Sequence, residues 1–368
     1  MITRELAEIL VKETSKVLNL NINVMNDKGV IIATRDPSRL NSIHEGALEV
    51  VRTGRALEIT LENQGEFRGT QQGINLPIHF QNEVAGVIGI TGDPKMIGDR
   101  SGLVKMMAEL LVKQAYIASQ SEWRQRTKEM IIEELIKETP KTASIDRWLG
   151  LLEMKLNGPF AVSLIELLDE SISSHLLIQS VKEVLGTEMV LAVFIDVNKL
   201  LLLLTGMNAN TAIKQLTKLY KELEKKQFEF RLVYSTPFDE FLQTNQGYRE
   251  CEIAMEISKF DKKKKMVSYV EIEPKALVHQ LDSVLAKQFS DRVLNGDLIH
   301  HLETLQTFFD CNLNIKEAAN KLFIHRNTLI YRLKKIKTES GYDPQNFKDA
   351  FALQMAIWVN EKNSSPYR

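Results

Sequence analysis

The stretch His325-Arg326-Asn327-Thr328-Leu329-Ile330-Tyr331-Arg332-Leu333-Lys334-Lys335-Ile336 admits one regular local fold. At 100° per residue, Leu329, Leu333 and Ile336 fall on one narrow apolar stripe that Ile330 widens, so the segment is an amphipathic helix. Asn327, Tyr331 and Lys334 point the other way, with Thr328 and Lys335 beside them and Arg332 on the flank. Solubility alone would place charges of both signs on that face. This face instead offers cations, an amide, a hydroxyl and a phenol, and meets no carboxylate before Glu339. Those groups suit phosphate contacts and base-edge hydrogen bonds.

The residues before it supply a partner helix. Asn314 is placed as an N-cap, with Glu317 in the reciprocal capping position. Ile315, Ala318, Ala319 and Leu322 form a buried face whose paired alanines let a second helix come close. Phe323-Ile324 makes a short apolar turn, and the next helix begins at His325 or Arg326. Two short helices joined this way, the second basic and polar outside, make a helix-turn-helix. Lys316, Lys321, Arg326, Arg332, Lys334, Lys335 and Lys337 face only Glu317 and Glu339 across the unit. An ordinary solvated helical hairpin is the alternative. The DNA-contacting candidates are His325, Arg326, Asn327, Thr328, Tyr331, Arg332, Lys334 and Lys335. Arg326, Asn327 and Tyr331 are the expected base readers, since the start of such a helix enters the major groove deepest. Arg332, Lys334 and Lys335 are the expected phosphate contacts. Gly341 provides a left-handed C-cap. Phe347–Val359 adds a closing helix whose Phe351, Met355, Trp358 stripe is expected to pack on the helix-turn-helix.

The whole unit, from Asn312-Leu313-Asn314 through His325-Arg326-Asn327-Thr328-Leu329 and Tyr331-Arg332-Leu333 to Ser340-Gly341 and Asp343, resembles the C-terminal helix-turn-helix of PucR-type regulators. The resemblance implies a double-stranded DNA operator as partner. One short helix reads too few bases for a genomic site, so a homodimer is expected.

At 368 residues the chain should hold two or three domains. The net charge of −1 makes any DNA contact local. No stretch approaches a membrane span, and Met1–Leu6 opens an amphipathic helix rather than a cleavable leader. Cys251 and Cys311 stand apart from each other and from any histidine cluster, as reduced thiols of a cytoplasmic protein do. No zinc spacing, phosphate loop or serine elbow occurs, so no metal, cofactor or catalytic residue is expected.

The first third alternates in another way. A helix to about Leu18 precedes a strand over Leu20–Met25, a turn at Asn26–Gly29 and a return over Val30–Ala33. His44–Thr53 is helical up to Gly54, and Leu57–Leu61 is a short strand. Gly73–Phe80 and Val84–Thr91 form a second hairpin across Gln81-Asn82-Glu83. This order predicts a compact α+β sensor of the PAS-like sort, with a ligand cavity against the sheet. The runs Gly29–Arg39 with His44-Glu45-Gly46-Ala47, Gly73–Ile78, and Gly86–Gly92 resemble the sugar-diacid recognition domain over roughly the first 135 residues. That implies a small carboxylic-acid effector such as glycerate, glucarate or galactarate.

The effector-binding candidates are Arg35, Arg39, His44, Glu45, Gly73 and Asn75. A carboxylate taken from water needs charge-assisted donors, which a guanidinium supplies best. The helix starting near His44 adds backbone N–H groups and a favourable dipole. His44 donates when protonated or bonds a hydroxyl when neutral; capping its own helix is the alternative. Gly73 permits close backbone approach, and Asn75 offers a donor and an acceptor. Gly86, Gly89 and Gly92 are read as packing glycines. Arg35 and Arg39-Leu40-Asn41 depart from the recognition-domain pattern, so a second anionic group or a different acid fits there.

Ser101–Lys137 reads as a long helix with two parallel apolar stripes, one through Leu103, Met107, Leu110 and Ile117, the other through Val104, Ala108 and Leu111. A broad face is therefore expected to bury against the sensor or a partner chain. From Ala143 to Lys275 strands and helices alternate: Phe160–Leu167, Ser174–Leu185, a hairpin of Val190–Ile195 and Leu200–Thr205, Thr211–Lys225, Phe230–Ser235 and Thr244–Lys259. This resembles a degenerate GGDEF-like α/β domain. A working cyclase needs a glycine-rich, acidic turn for metal and phosphate, and Asp196-Val197-Asn198 has neither feature. Lys262–Lys265 is read as a solvated turn. Helices over Leu277–Gln288 and Leu298–Phe309 lead into an all-α end, and Ser364–Arg368 frays.

The domains expected are a sensor with its connector at 1–137, a non-catalytic GGDEF-like domain at 143–275 and a helix-turn-helix domain at 297–362. Together they predict a transcription regulator of the sugar-diacid-responsive type, an activator of carbohydrate-acid utilisation and not an enzyme. The alternatives are a nucleotide-signalling enzyme acting through the middle domain, a metabolite-storing protein, or a purine-catabolism regulator of the PucR type.

Overall fold

The computed structural model describes residues 2–18, 20–169, 173–186, 189–260, 265–294 and 296–363. Two compact units divide the chain, Met1–Arg124 and Gln125–Arg368.

In the first unit, helix α1 (Arg4–Leu18) precedes strands β1 (Asn21–Met25) and β2 (Ile31–Thr34). Helix α2 (Glu45–Thr53), strands β3 (Leu57–Ile59), β4 (Gly73–Phe80) and β5 (Glu83–Thr91), and helix α3 (Pro94–Leu135) follow. The five strands form one antiparallel sheet in the order β2-β1-β5-β4-β3. Both hairpins turn on residues that accept positive φ, Gly29 at 69° in the first and Gln81 and Asn82 at 50° and 67° in the second. Period-two alternation sends Ile22, Val24, Ile74, Leu76, Ile78, Ile88 and Ile90 to one face, against Ala7, Leu10 and Val11 of α1 and Val104, Ala108 and Val112 of α3. The opposite face buries Met25, Ile31 and Val87 beneath Ala47 and Val50 of α2.

Helix α3 lays one of its two apolar stripes on the sheet. The Val104, Ala108 stripe packs on the sheet, whereas Leu103, Leu110 and Ile117 are 43%, 57% and 57% exposed. The two stripes are adjacent, and the sheet covers one.

In the second unit, helix α4 (Thr142–Leu152) leads to β6 (Phe160–Leu167), α5 (Ser174–Leu185), β7 (Val190–Asp196), β8 (Lys199–Thr205), α6 (Ala209–Lys225), β9 (Phe230–Tyr234), α7 (Thr244–Ser258) and β10 (Met266–Ser268). The sheet order is β10-β9-β6-β8-β7, with β9 and β10 parallel and the other pairs antiparallel. Helices α5 and α6 cover one face through Leu177, Val181, Leu216 and Leu219. The other face packs on α4, α7 and the last turns of α3, through Ile131, Ile132 and Leu135.

Helix α8 (Tyr269–His279) follows, then α9 (Ser283–Val293), α10 (Leu302–Asp310), α11 (Ile315–Lys321), α12 (Arg326–Ser340) and α13 (Phe347–Asn363). The single helix expected over Leu277–Gln288 is instead broken. Asp282 takes the N–H groups of Val284 and Leu285 on its side chain and starts a new helix there. The expected Leu298–Phe309 helix opens as 3-10 turns over Gly296–His301 before α10. Along α13, Leu353, Ala356 and Ile357 pack on the helix-turn-helix. The Phe351, Met355, Trp358 stripe does not: Phe351 is 52% exposed, while Met355 and Trp358 lie against Val278 and Ala286 of α8 and α9. Lys262, Lys263 and Lys264, like Ser364–Arg368, lie outside the described residues, and Lys265 pairs with Glu229 at 3.3 Å.

Candidate effector and DNA-contacting sites

The α2 face of the first sheet changes character at one end. Strand register sets Thr34, Asn23, Gly89, Asn75 and Leu57 side by side across the five strands. Two strand spacings put the Asn23 and Asn75 backbones roughly 10 Å apart, with Gly89 between them. Both asparagines are 3% exposed. The Thr34 hydroxyl donates to Asn23 Oδ1 at 2.5 Å, and Asn23 Nδ2 donates to Thr91 Oγ1 at 3.4 Å. The Asn75 amide has no hydrogen-bond partner among the described residues. Its Oδ1 overhangs Gly89, where an added Cβ would meet it at 2.8 Å. Gly73 has another cause: its Cβ would lie 2.1 Å from the Ile90 carbonyl, so the approach it permits is that of β5.

Above the end of this row, Asp36 caps the single 3-10 turn Pro37–Arg39 by accepting from the Ser38 N–H. That turn aims Arg39 at neutral acceptors, the Gly69 carbonyl at 2.8 Å and Gln71 Oε1 at 3.1 Å. Gln71 stands two residues before β4, so the guanidinium and the polar row share one end of the sheet. Burial pushes the Arg39 pKa down, with Asp36 opposing. This is a half-buried cation whose direct partners are uncharged.

His44 is 3% exposed and caps α2, its Nδ1 accepting the Ala47 N–H at 3.0 Å. Burial, and then the charge of Arg39, hold its pKa down at about 4. The ring is therefore neutral near pH 7, and Nδ1 as acceptor leaves the proton on Nε2, a donor with no partner among the described residues. Glu45 pins a loop: its carboxylate accepts the Arg68 N–H at 2.7 Å, and its own N–H donates to the Arg68 carbonyl at 3.1 Å. The N–H groups of residues 45 and 47 are thus already spent, and the helix start offers an anion little beyond that of Gly46.

Arg35 does not join this group. It lines a cavity of about 370 Å³ on the α1 side with Glu8, Lys12, Pro37 and Leu40, where Thr34 at the end of the row is also part of the lining. The larger open groove, about 530 Å³, lies between Phe80 and the exposed stripe of α3, away from the polar row. Sequence reasoning missed Asn23, Thr34, Gln71, Gly89 and Thr91. Its one available signal was Asn21 and Asn23 sharing a face of an otherwise apolar strand.

In the second unit, Asn314 caps α11 by accepting from the N–H groups of Lys316 and Glu317 at 3.1 and 3.2 Å. Glu317 does not reciprocate: the Asn314 N–H donates to the Cys311 carbonyl at 2.9 Å, and the Glu317 carboxylate sits 3.5 Å from Lys321. The α11 C-terminus closes with Phe323 at φ 54° and the Ile324 N–H on the Ala319 carbonyl, which reverses the chain into α12. His325 is the N-cap of α12, its Nδ1 accepting the Asn327 N–H at 3.3 Å.

Leu329, Leu333 and Ile336 are buried against α10, α11 and α13, each by about 2 kcal/mol of apolar burial. They hold Arg326, Asn327, Thr328, Tyr331 and Lys334 exposed together. Tyr331 is 69% exposed. Arg332 is partly committed within the domain, donating to the buried Thr304 hydroxyl at 3.2 Å, and Lys335 pairs with Glu339 at 3.5 Å. Lys334 has no such partner among the described residues. In the middle of this unit the β7–β8 hairpin turns on Val197 and Asn198, without a glycine pair. Among the described residues no helix is long and apolar enough to cross a membrane.

Comparison with known proteins gives these elements a frame. The sugar diacid recognition family matches residues 2–135, the GGDEF-like domain family residues 137–257, and the PucR C-terminal helix-turn-helix family residues 301–359. The chain is 28% identical over 380 residues to the carbohydrate diacid regulator of Escherichia coli (strain K12), covering 97% of this chain and 98% of that one. It is 29% identical over 363 residues to an uncharacterized protein of Haemophilus influenzae, covering 95% and 96%. Its similarity to the purine catabolism regulatory protein of Bacillus subtilis, 32% over 77 residues, spans 21% of this chain and 13% of that one. The chain thus carries a sugar diacid recognition domain and a PucR-type helix-turn-helix with a GGDEF-like domain between them, and is similar over nearly its full length to a carbohydrate diacid regulator.

Proposed function

We propose that this protein activates genes of carbohydrate-acid utilisation by binding operator DNA as a homodimer in the cytoplasm, under control of a small hydroxy-acid or sugar-diacid effector. The observation that carries it is the outer face of α12, where Asn327, Tyr331 and Lys334 stand exposed opposite three buried apolar side chains. Arg326, Asn327 and Tyr331 read base edges, and Lys334 holds phosphate, helped by Lys335, Arg332 and the helix start. The sensor is read as PAS-like, since an antiparallel order of β2-β1-β5-β4-β3 with a helix laid on one face supports it. The effector sits between Arg39 and the polar row through Asn23 and Asn75. It binds one sensor state better and thereby shifts the geometry of paired DNA-binding domains. The middle domain transmits or docks rather than catalyses.

The test is duplex selection from a random pool by the full chain, followed by anisotropy titrations. Asn327→Ala is expected to relax the sequence preference. Lys334→Ala is expected to weaken binding to all sequences and to lower the salt slope by about 1. Failure of the wild type to prefer any duplex at moderate salt overturns the reading. Turnover of GTP with magnesium would do so from the other side.

A further inference from the structure

Resting on that sensor reading, we infer that the effector is a hydroxy acid with a single carboxylate, and that the site disfavours the diacid built on the same skeleton.

The inference comes from what each end of the site can satisfy. At one end stands Arg39, a half-buried guanidinium that spends two of its N–H groups on Gly69 and Gln71 and keeps the others. A carboxylate there gains charge-assisted bonds and relieves an unpaired cation. The second arginine, Arg35, does not supply another such end, since it lines the cavity beside Lys12 and Glu8. His44 adds a neutral N–H donor. Asp36 and Glu45 bring carboxylates to the same loops, which repel a further anion. Arg68 gives its backbone N–H and carbonyl to Glu45, and its side chain is exposed.

The other end is the Asn75 amide. The residue is buried, its amide has no partner among the described residues, and its Oδ1 lies over Gly89, where a Cβ would meet it at 2.8 Å. An amide presents a donor and an acceptor together, and a hydroxyl is both in one atom, so a hydroxyl answers both the nitrogen and the oxygen of Asn75. A carboxylate answers the Nδ2 donor alone, sets its charge against the Oδ1 lone pairs and loses more water than a hydroxyl does. Asn23 is already partly committed, its oxygen accepting from Thr34 and its nitrogen donating to Thr91. The row therefore reads as a hydroxyl subsite.

Matched pairs test this on the full chain by calorimetry: glycerate against tartronate, and gluconate against glucarate. Each pair differs in whether the far carbon is a hydroxymethyl group or a carboxylate. The member with one carboxylate is expected to bind at least tenfold more tightly in one or both pairs. Asn75→Ala should bring the two members of that pair within about threefold, and Arg39→Ala should remove both. Binding of any of the acids without a tenfold preference for the member with one carboxylate in either pair overturns this inference and leaves the sensor reading standing. No binding by any of the four acids overturns the sensor reading, and this inference with it.

Discussion

Single positions shape the polar row of the first sheet, and glycine shows it best. Gly73 and Gly89 look alike in sequence, yet a Cβ at Gly73 meets the Ile90 backbone at 2.1 Å, whereas one at Gly89 meets the Asn75 side chain at 2.8 Å. Gly73→Ala is therefore expected to destabilise the sensor by about 3 kcal/mol or more, since backbone must move. Gly89→Ala should cost about 1 kcal/mol while displacing Asn75, so that effector binding falls much more than the denaturation midpoint does. Parallel denaturant and ligand titrations separate the two. His44 supplies a pH signature. Its folded pKa of about 4 lies below the ordinary 6.5, so the unfolded chain takes up the proton first as pH falls. Its contribution is complete above about pH 6.5 and is lost as pH falls to about 4, amounting to roughly 3 kcal/mol. His279, also held down at about 4 by burial and by Lys275 and Lys362, adds a like slope in the other unit. His44→Asn keeps an N-cap without a titrating group, so unfolding of that variant between pH 7 and 5 should show a shallower slope than the wild type. An unchanged slope would remove His44 from the account.

Elements were legible in proportion to how local their causes are. Strands β4 and β6 and helix α5 end where alternation, turn residues and caps said they would, because those signals lie within a few residues of the boundary. The polar row was not legible. It joins Asn23, Asn75 and Gly89 through the register of three strands, which no local pattern encodes. Arg35 and Arg39 read as a pair, and the 3-10 turn capped by Asp36 parts them. The α11–α12 turn was legible in place but not in strain. Phe323 is 95% exposed and occupies, at φ 54°, the position glycine usually fills after a helix. Phe323→Gly should raise stability by about 0.5–1 kcal/mol, because left-handed strain is relieved and almost no burial is lost. Asn314→Ala should lower it by about 1 kcal/mol through loss of two capping bonds. Denaturation of both variants, followed through a probe in the C-terminal domain, checks the pair. A destabilised Phe323→Gly would mean that the ring has a partner in solution.

At the scale of the whole molecule, the sheet with its polar row and helix α12 occupy separate compact units of one chain, and the proposed regulation requires that they share free energy. Coupling of this kind is reciprocal: if the effector changes DNA affinity by some factor, DNA changes effector affinity by the same factor. Five- to hundredfold would be an ordinary size for it. Arg39→Ala should leave binding to DNA in the absence of effector intact and remove the effector's influence, since Arg39 and α12 lie in different units. The most direct measurement is the affinity of the full chain for its selected duplex, with and without a saturating hydroxy acid. The account predicts a shift of at least fivefold that Arg39→Ala abolishes. An affinity that does not respond to an effector the protein demonstrably binds would contradict it.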